Sequence, residues 1–124
     1  MSPENAKLII VEDDERWLQA FIRSLTYSGH QVLGITRTKE EALQLFEQFM
    51  ASGEVVDFIL LDGDLSPSSF GGQDGNALAE IARKKFLEVG ILSISAFPQK
   101  WSDIPKITKG NGVDPIIAFI TQAP

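Results

Sequence analysis

Asp57-Phe58-Ile59-Leu60-Leu61-Asp62 decides how this sequence is read. Four apolar residues in a row, without polar alternation and bounded by aspartates, imply a strand buried on both faces. Strands of that kind belong to parallel sheets covered by helices. Working upstream, Gln31 to Thr36 reads as another strand. Thr38 then caps a helix to about Ser52, with Glu41 completing a capping box and Ala42, Leu45, Phe46 and Phe49 forming one apolar stripe. Further upstream, Lys7-Leu8-Ile9-Ile10-Val11 is a short apolar strand. Glu15 to Ser28 carries Trp17, Ala20, Phe21, Ser24 and Leu25 at helical spacing, and Gly29 stops it.

Downstream of Asp62, a loop rich in Ser, Gly and Pro runs from Leu65 to Gln73. Asp74 is expected to cap a third helix bearing Leu78, Ile81, Ala82 and Phe86, and Gly90 to Ser95 is a fourth strand. Strand and helix alternate throughout, which defines an α/β fold with an open parallel sheet. Two assignments stay open for the fifth strand, Ile104 to Lys109 or Ile116 to Ile120. With the first, Ala96 to Asp103 is shorter than the roughly dozen residues a parallel crossover needs. Pro98 and Pro105 also oppose a helix there, so the fourth helix is expected to be shortened or lost. Asp114-Pro115 resembles an N-cap followed by proline at the first helical position.

The chain has 124 residues, suited to a single domain over 1–124, and its 44% hydrophobic and 23% charged content is ordinary for a globular protein. No apolar run approaches a membrane span, and Met1 to Lys7 is too polar for a signal peptide, so a cytoplasmic location is expected. The absence of cysteine excludes disulfides, thiolate metal sites and cysteine nucleophiles. A net charge of −6 argues against direct nucleic-acid binding, which needs basic surface. The basic cluster Arg83-Lys84-Lys85 reads as a solvated helix face. The lone His30 reads as an exposed loop residue, and Trp17 and Phe21 as core aromatics.

In doubly wound sheets, ligands gather outside the carboxyl ends of the strands. Glu12, Asp13 and Asp14 fall there after the first strand, Asp62 and Asp64 at the third, and Ser95 at the fourth. Neighbouring parallel strands lie about 4.8 Å apart, so these acids crowd one another. Crowded carboxylates repel unless a cation intervenes. Magnesium suits them, because it takes one or two carboxylates and leaves room for phosphate oxygens.

Val11-Glu12-Asp13-Asp14, Asp57 to Asp62, Asp74-Gly75 and Ile91-Leu92-Ser93-Ile94-Ser95-Ala96 together resemble the receiver domain of bacterial two-component response regulators. Gly29-His30-Gln31-Val32 and Glu41-Ala42-Leu43 look like that family's second strand and helix. The resemblance implies a doubly wound, flavodoxin-like parallel sheet of about five strands with helices on both faces. It implies phosphorylation of Asp62 and a magnesium site made by Glu12, Asp13, Asp62 and the backbone carbonyl of Asp64. Ser95 matches the hydroxyl residue that meets the phosphoryl group, and Lys109 the lysine after the fifth strand, with Lys106 as its alternative. The implied donor is a sensor histidine kinase or phosphotransfer protein. With no output domain after Pro124, the signal is expected to pass to a separate downstream protein.

The sequence departs from the family in four places. The loop over 66–73 is longer, Gly110 replaces the proline after the lysine, the aromatic switch residue has no equivalent beyond a poorly placed Trp101, and the fourth helix is short. Three other readings remain. Asp62-Gly63-Asp64 resembles the nucleophile motif of magnesium-dependent haloacid-dehalogenase-like phosphatases. Glu12 with Asp62 and Asp64 fits a toprim-type enzyme. A pseudo-receiver would use the fold only as a protein-interaction module.

Overall fold

The computed structural model describes residues 6–62, 65, 73–86, 89–95, 106–108 and 114–122, with Gln73, Ser95, 106–108 and 121–122 described as backbone. In chain order the elements are β1 (Lys7–Val11), α1 (Glu15–Tyr27), β2 (Gln31–Thr36), α2 (Lys39–Ser52), β3 (Phe58–Asp62), α3 (Gln73–Lys85), β4 (Gly90–Ser95), β5 (Lys106–Thr108) and α4 (Asp114–Gln122). All strand pairings are parallel, in the order β2-β1-β3-β4-β5. Since β5 pairs with β4 and Ile116 to Ile120 is helical, the fifth strand follows the first of the two assignments. The crossover between β4 and β5, with its expected shortened helix, lies outside the described residues, as do Trp101 and Gly110.

The central β3 is buried at every position, as its unbroken apolar run requires. Strand alternation sends successive side chains to opposite faces. Ile9 and Val11 of β1, with Ile59 and Leu61 of β3, meet Ala42 and Phe46 of α2 and Leu78, Ala79 and Ala82 of α3. Leu8, Ile10, Phe58 and Leu60 face the other way, onto Leu18, Phe21 and Leu25 of α1 and Ile116 and Ile120 of α4. Each buried Leu, Ile, Val or Phe side chain among them contributes about 1.5–3 kcal/mol of hydrophobic stabilisation. Phe21 is fully buried, and Trp17 packs at the rim of the same cluster with ring centroids 5.9 Å apart, so both are core aromatics.

Local chemistry sets the element ends. Thr38 Oγ1 accepts from the Glu41 N–H at 3.1 Å, while Glu41 Oε1 reaches back to the N–H of Arg37 at 2.9 Å, a capping box displaced by one residue at its return arm. Gly29 adopts φ 88° after α1, and the His30 N–H donates to Leu25 O at 3.0 Å, which closes the helix with a left-handed turn.

Three expectations need correction. His30 is not exposed: it is 4% accessible, because the turn that closes α1 folds its ring under the start of β1, where Nδ1 accepts the Ala6 N–H at 3.1 Å. Asp74 lies inside the first turn of α3, not before it, and its Oδ2 accepts from the Leu65 N–H at 2.7 Å. Its carboxylate therefore fastens the two ends of the 65–74 loop. The basic cluster is only partly a solvated face, since Arg83 and Lys84 are exposed but Lys85 pairs with Glu47 of α2.

Candidate metal and phosphoryl site

The β1–β3 register fixes the site. Leu8 lies opposite Phe58, and Val11 opposite Leu61, so one further step brings Glu12 beside Asp62. Both continue the alternation of the face that α1 covers. The Glu12 N–H donates to Thr36 O at 3.0 Å, extending the β1–β2 ladder past the end of β1. Glu12 is fully buried and Asp62 is 5% accessible, whereas Asp13, at the bend that follows, is exposed. One carboxylate oxygen from each of Glu12, Asp13 and Asp62 lies within 4.8 Å of the others.

Asp14, the third acid of the run, has a different task. It is the N-cap of α1, and its Oδ1 accepts the Arg16 N–H at 2.9 Å. Desolvation pulls the Asp14 carboxyl upward, but the Arg16 backbone and side chain and the Trp17 N–H outweigh it and hold the group below its ordinary value. The Asp14 N–H in turn donates to Glu12 Oε2 at 3.1 Å, which orients Glu12.

Three clustered carboxylates with two of them buried are a poor arrangement for bare negative charge and a good one for a hard divalent cation. The donor set is all oxygen, with no imidazole or thiolate, which favours magnesium, calcium or manganese over zinc. Of the other residues singled out in the sequence, Ser95 is the last residue of β4, one beyond Ile94, which lies opposite Asp62. Thr108 lies opposite Ser95. Asp64 and Lys109 lie outside the described residues, and Lys106 is described only as backbone.

Two features at this end of the sheet escape a reading by motifs. Arg37, immediately after β2, donates through Nη2 to Glu15 Oε2 at 2.6 Å, and Gln19 Nε2 holds the other oxygen at 2.9 Å. This clasp ties the β2–α2 connection to the first turn of α1. Thr36, whose carbonyl holds Glu12, is 6% accessible, and its Oγ1 has no hydrogen-bond partner among the described residues. No spacing rule signals the Arg37–Glu15 or the Glu12–Thr36 contact, since both join residues distant in sequence.

No protein-family model matches the sequence, and no curated protein matches it significantly. Solved structures do resemble it. The response regulator PhyR from Brucella abortus is 28% identical, with a TM-score of 0.75 over 96% of this chain and 47% of that one. A double mutant of the anti-anti-sigma factor PhyR from Bartonella quintana is 27% identical, with a TM-score of 0.73 over 96% of this chain and 48% of that one. The chain thus spans about half the length of the PhyR proteins. A response regulator receiver protein from Sinorhizobium medicae is alike in fold over nearly its whole length, with a TM-score of 0.70, 98% of each chain covered and 19% identity. The chain has the receiver-domain fold of response regulators.

Proposed function

We propose that this chain is the phospho-acceptor receiver of a two-component phosphorelay, taking a phosphoryl group on Asp62 in a magnesium-dependent reaction. The observation that carries the proposal is the meeting of the Glu12, Asp13 and Asp62 carboxylates within 4.8 Å at the carboxyl end of a receiver-type sheet. Glu12, Asp13 and Asp62 would hold the ion, with the backbone carbonyl of Asp64 as a further ligand. When bound, magnesium supplies charge neutralisation for the carboxylates and the incoming phosphoryl oxygens.

The chemistry asks little covalent help of the protein. A carboxylate oxygen of Asp62 attacks phosphorus in line. The new O–P bond forms as the N–P or O–P bond of the donor breaks, and the leaving group departs with that electron pair. The product is an acyl phosphate, and positioning with charge neutralisation is enough to make it. We assign Ser95 as the hydroxyl that meets the phosphoryl group and Lys109 as the ammonium that balances it. The backbone register supports both roles, because Ser95 follows the residue opposite Asp62 and Lys109 follows the residue opposite Ser95.

The donor is a sensor histidine kinase or phosphotransfer protein. The Bartonella relative is an anti-anti-sigma factor. For this chain we assign only the receiver part of such a role, with output by conformational switching. No described helix is long and apolar enough to cross a membrane, and we assign a cytoplasmic location. The chain is a stoichiometric acceptor, not a turnover enzyme. Incubation with acetyl phosphate and magnesium tests the proposal: uptake of one hydroxylamine-labile phosphoryl group, abolished by EDTA, supports it. Multiple turnover of phosphomonoesters would favour the phosphatase reading. Absence of uptake, with no response to beryllofluoride, would favour the pseudo-receiver.

A further inference from the structure

At the amino ends of the strands, opposite the acid cluster, the chain's one histidine is buried in an unusual way. Nδ1 of His30 accepts the Ala6 N–H at 3.1 Å, and the same residue's carbonyl accepts the Gln31 N–H at 2.9 Å. Ala6, 1% accessible and next to the first residue of β1, is therefore gripped at both polar groups by His30 and Gln31. An imidazole that accepts at Nδ1 is neutral and carries its proton on Nε2. That Nε2 is buried without a hydrogen-bond partner among the described residues. Protonation would put a second N–H on Nδ1, facing the N–H of Ala6, and would put a charge in a buried setting.

The geometry points to a proton-sensitive latch: His30 fastens the start of β1 to the α1–β2 turn while neutral, and releases Ala6 when protonated. Titratable groups stand on the neighbouring elements. Lys7 follows Ala6, and Asp57 holds the Lys7 N–H through Oδ2 at 2.8 Å. Arg23 and Tyr27 lie in the last turns of α1, and Asp114 opens α4 across the groove they line with Ser24, Ser28 and Ile117. None of them hydrogen-bonds to the ring. Burial lowers the ring's affinity for a proton below that of a free histidine, near 6.5. A base whose folded pKa is lowered gives stability that is complete above the unfolded pKa. That stability is lost as pH falls from 6.5 towards the folded value, because the unfolded state then binds more protons.

The latch is read directly by NMR on the intact chain. At pH 7.5 the ring should be the Nε2–H tautomer, and the Ala6 amide should be protected from exchange. As pH falls, the ring should titrate below 6.5. The Ala6 amide shift should follow with the same midpoint, and its protection should fall by up to about tenfold for each unit by which the ring's pKa is lowered. An Nδ1–H tautomer, a midpoint at or above 6.5, or an Ala6 amide indifferent to ring protonation would overturn the proposal. His30→Asn keeps an acceptor close to the Nδ1 position without the titration. Its melting temperature should stay level between pH 7.5 and 5.5 where that of the native chain falls, and an equal fall in both would also overturn it. Phosphoryl uptake on Asp62 is read separately, at pH 7.5, so failure of either proposal leaves the other standing.

Discussion

Lys7 and Asp57 are hydrogen-bonded to each other twice: the Lys7 N–H donates to Asp57 Oδ2 at 2.8 Å, and the Asp57 N–H donates to Lys7 O at 2.8 Å. This pair sets the β1–β3 register at its amino end. The same register, followed to the carboxyl end, brings Glu12 beside Asp62. Asp57 thus positions the acid cluster from the far side of the sheet. Asp57→Ala should cost about 1.5–3 kcal/mol, the range for a hydrogen bond to a charged group, in the urea midpoint followed by circular dichroism. Asp57→Asn, which keeps an acceptor oxygen, should lose less. Equal losses in the two would show that the carboxylate does not set the register.

Crowding of carboxylates makes the candidate site a source of strain without a cation. At 4.8 Å, the upper limit of their separation, two like charges repel by about 1 to 3.5 kcal/mol for effective dielectrics from about 80 down to about 20. In EDTA, Asp62→Asn should therefore be more stable than the native chain by roughly that amount, measured by thermal unfolding. Adding magnesium should narrow that difference. The native chain gains about 2.7 kcal/mol at a hundredfold excess over its dissociation constant, and the variant gains less.

The three consecutive acids should separate cleanly in metal binding. Glu12→Gln removes a buried member of the cluster and should weaken magnesium binding about tenfold or more, as titration calorimetry reads it. Asp14→Asn should change the affinity little, because Asp14 is spent on capping α1 and asparagine caps equally well.

At the rim, the Arg37 guanidinium, followed by the Gln19 amide, holds the Glu15 carboxyl below its ordinary value of 4.5. A depressed carboxyl gives stability that is present above the unfolded pKa and is lost as pH falls through the folded one. Arg37→Gln should let the Glu15 carboxyl titrate closer to 4.5 in an NMR titration. Both groups are exposed, so the effect on thermal stability should be slight and should shrink further in high salt.

Much of this architecture is written locally. The unbroken run Phe58 to Leu61 announces a strand covered on both faces, and Thr38 with Glu41 marks the start of α2 to the residue, because propensity, capping and burial agree there. The acids at the strand ends were legible too, because Glu12 and Asp62 each close an apolar run, and the order β2-β1-β3-β4-β5 makes those two strands neighbours. What resisted reading was contact between residues far apart in the chain. His30 follows a glycine turn among polar neighbours, and only the fold reveals that its ring closes over Ala6. Asp74 looked like a cap by its neighbours, yet its carboxylate serves the Leu65 N–H across the loop. Polar groups choose partners by geometry, which hydrophobic periodicity does not encode.

The most direct test of the central claim is the intact mass of the chain after incubation with acetyl phosphate and magnesium, beside Asp62→Asn treated identically. The account predicts one added phosphoryl group on the native chain, none on the variant, and none on either in EDTA. An unchanged native mass, or an addition that survives Asp62→Asn, would contradict it.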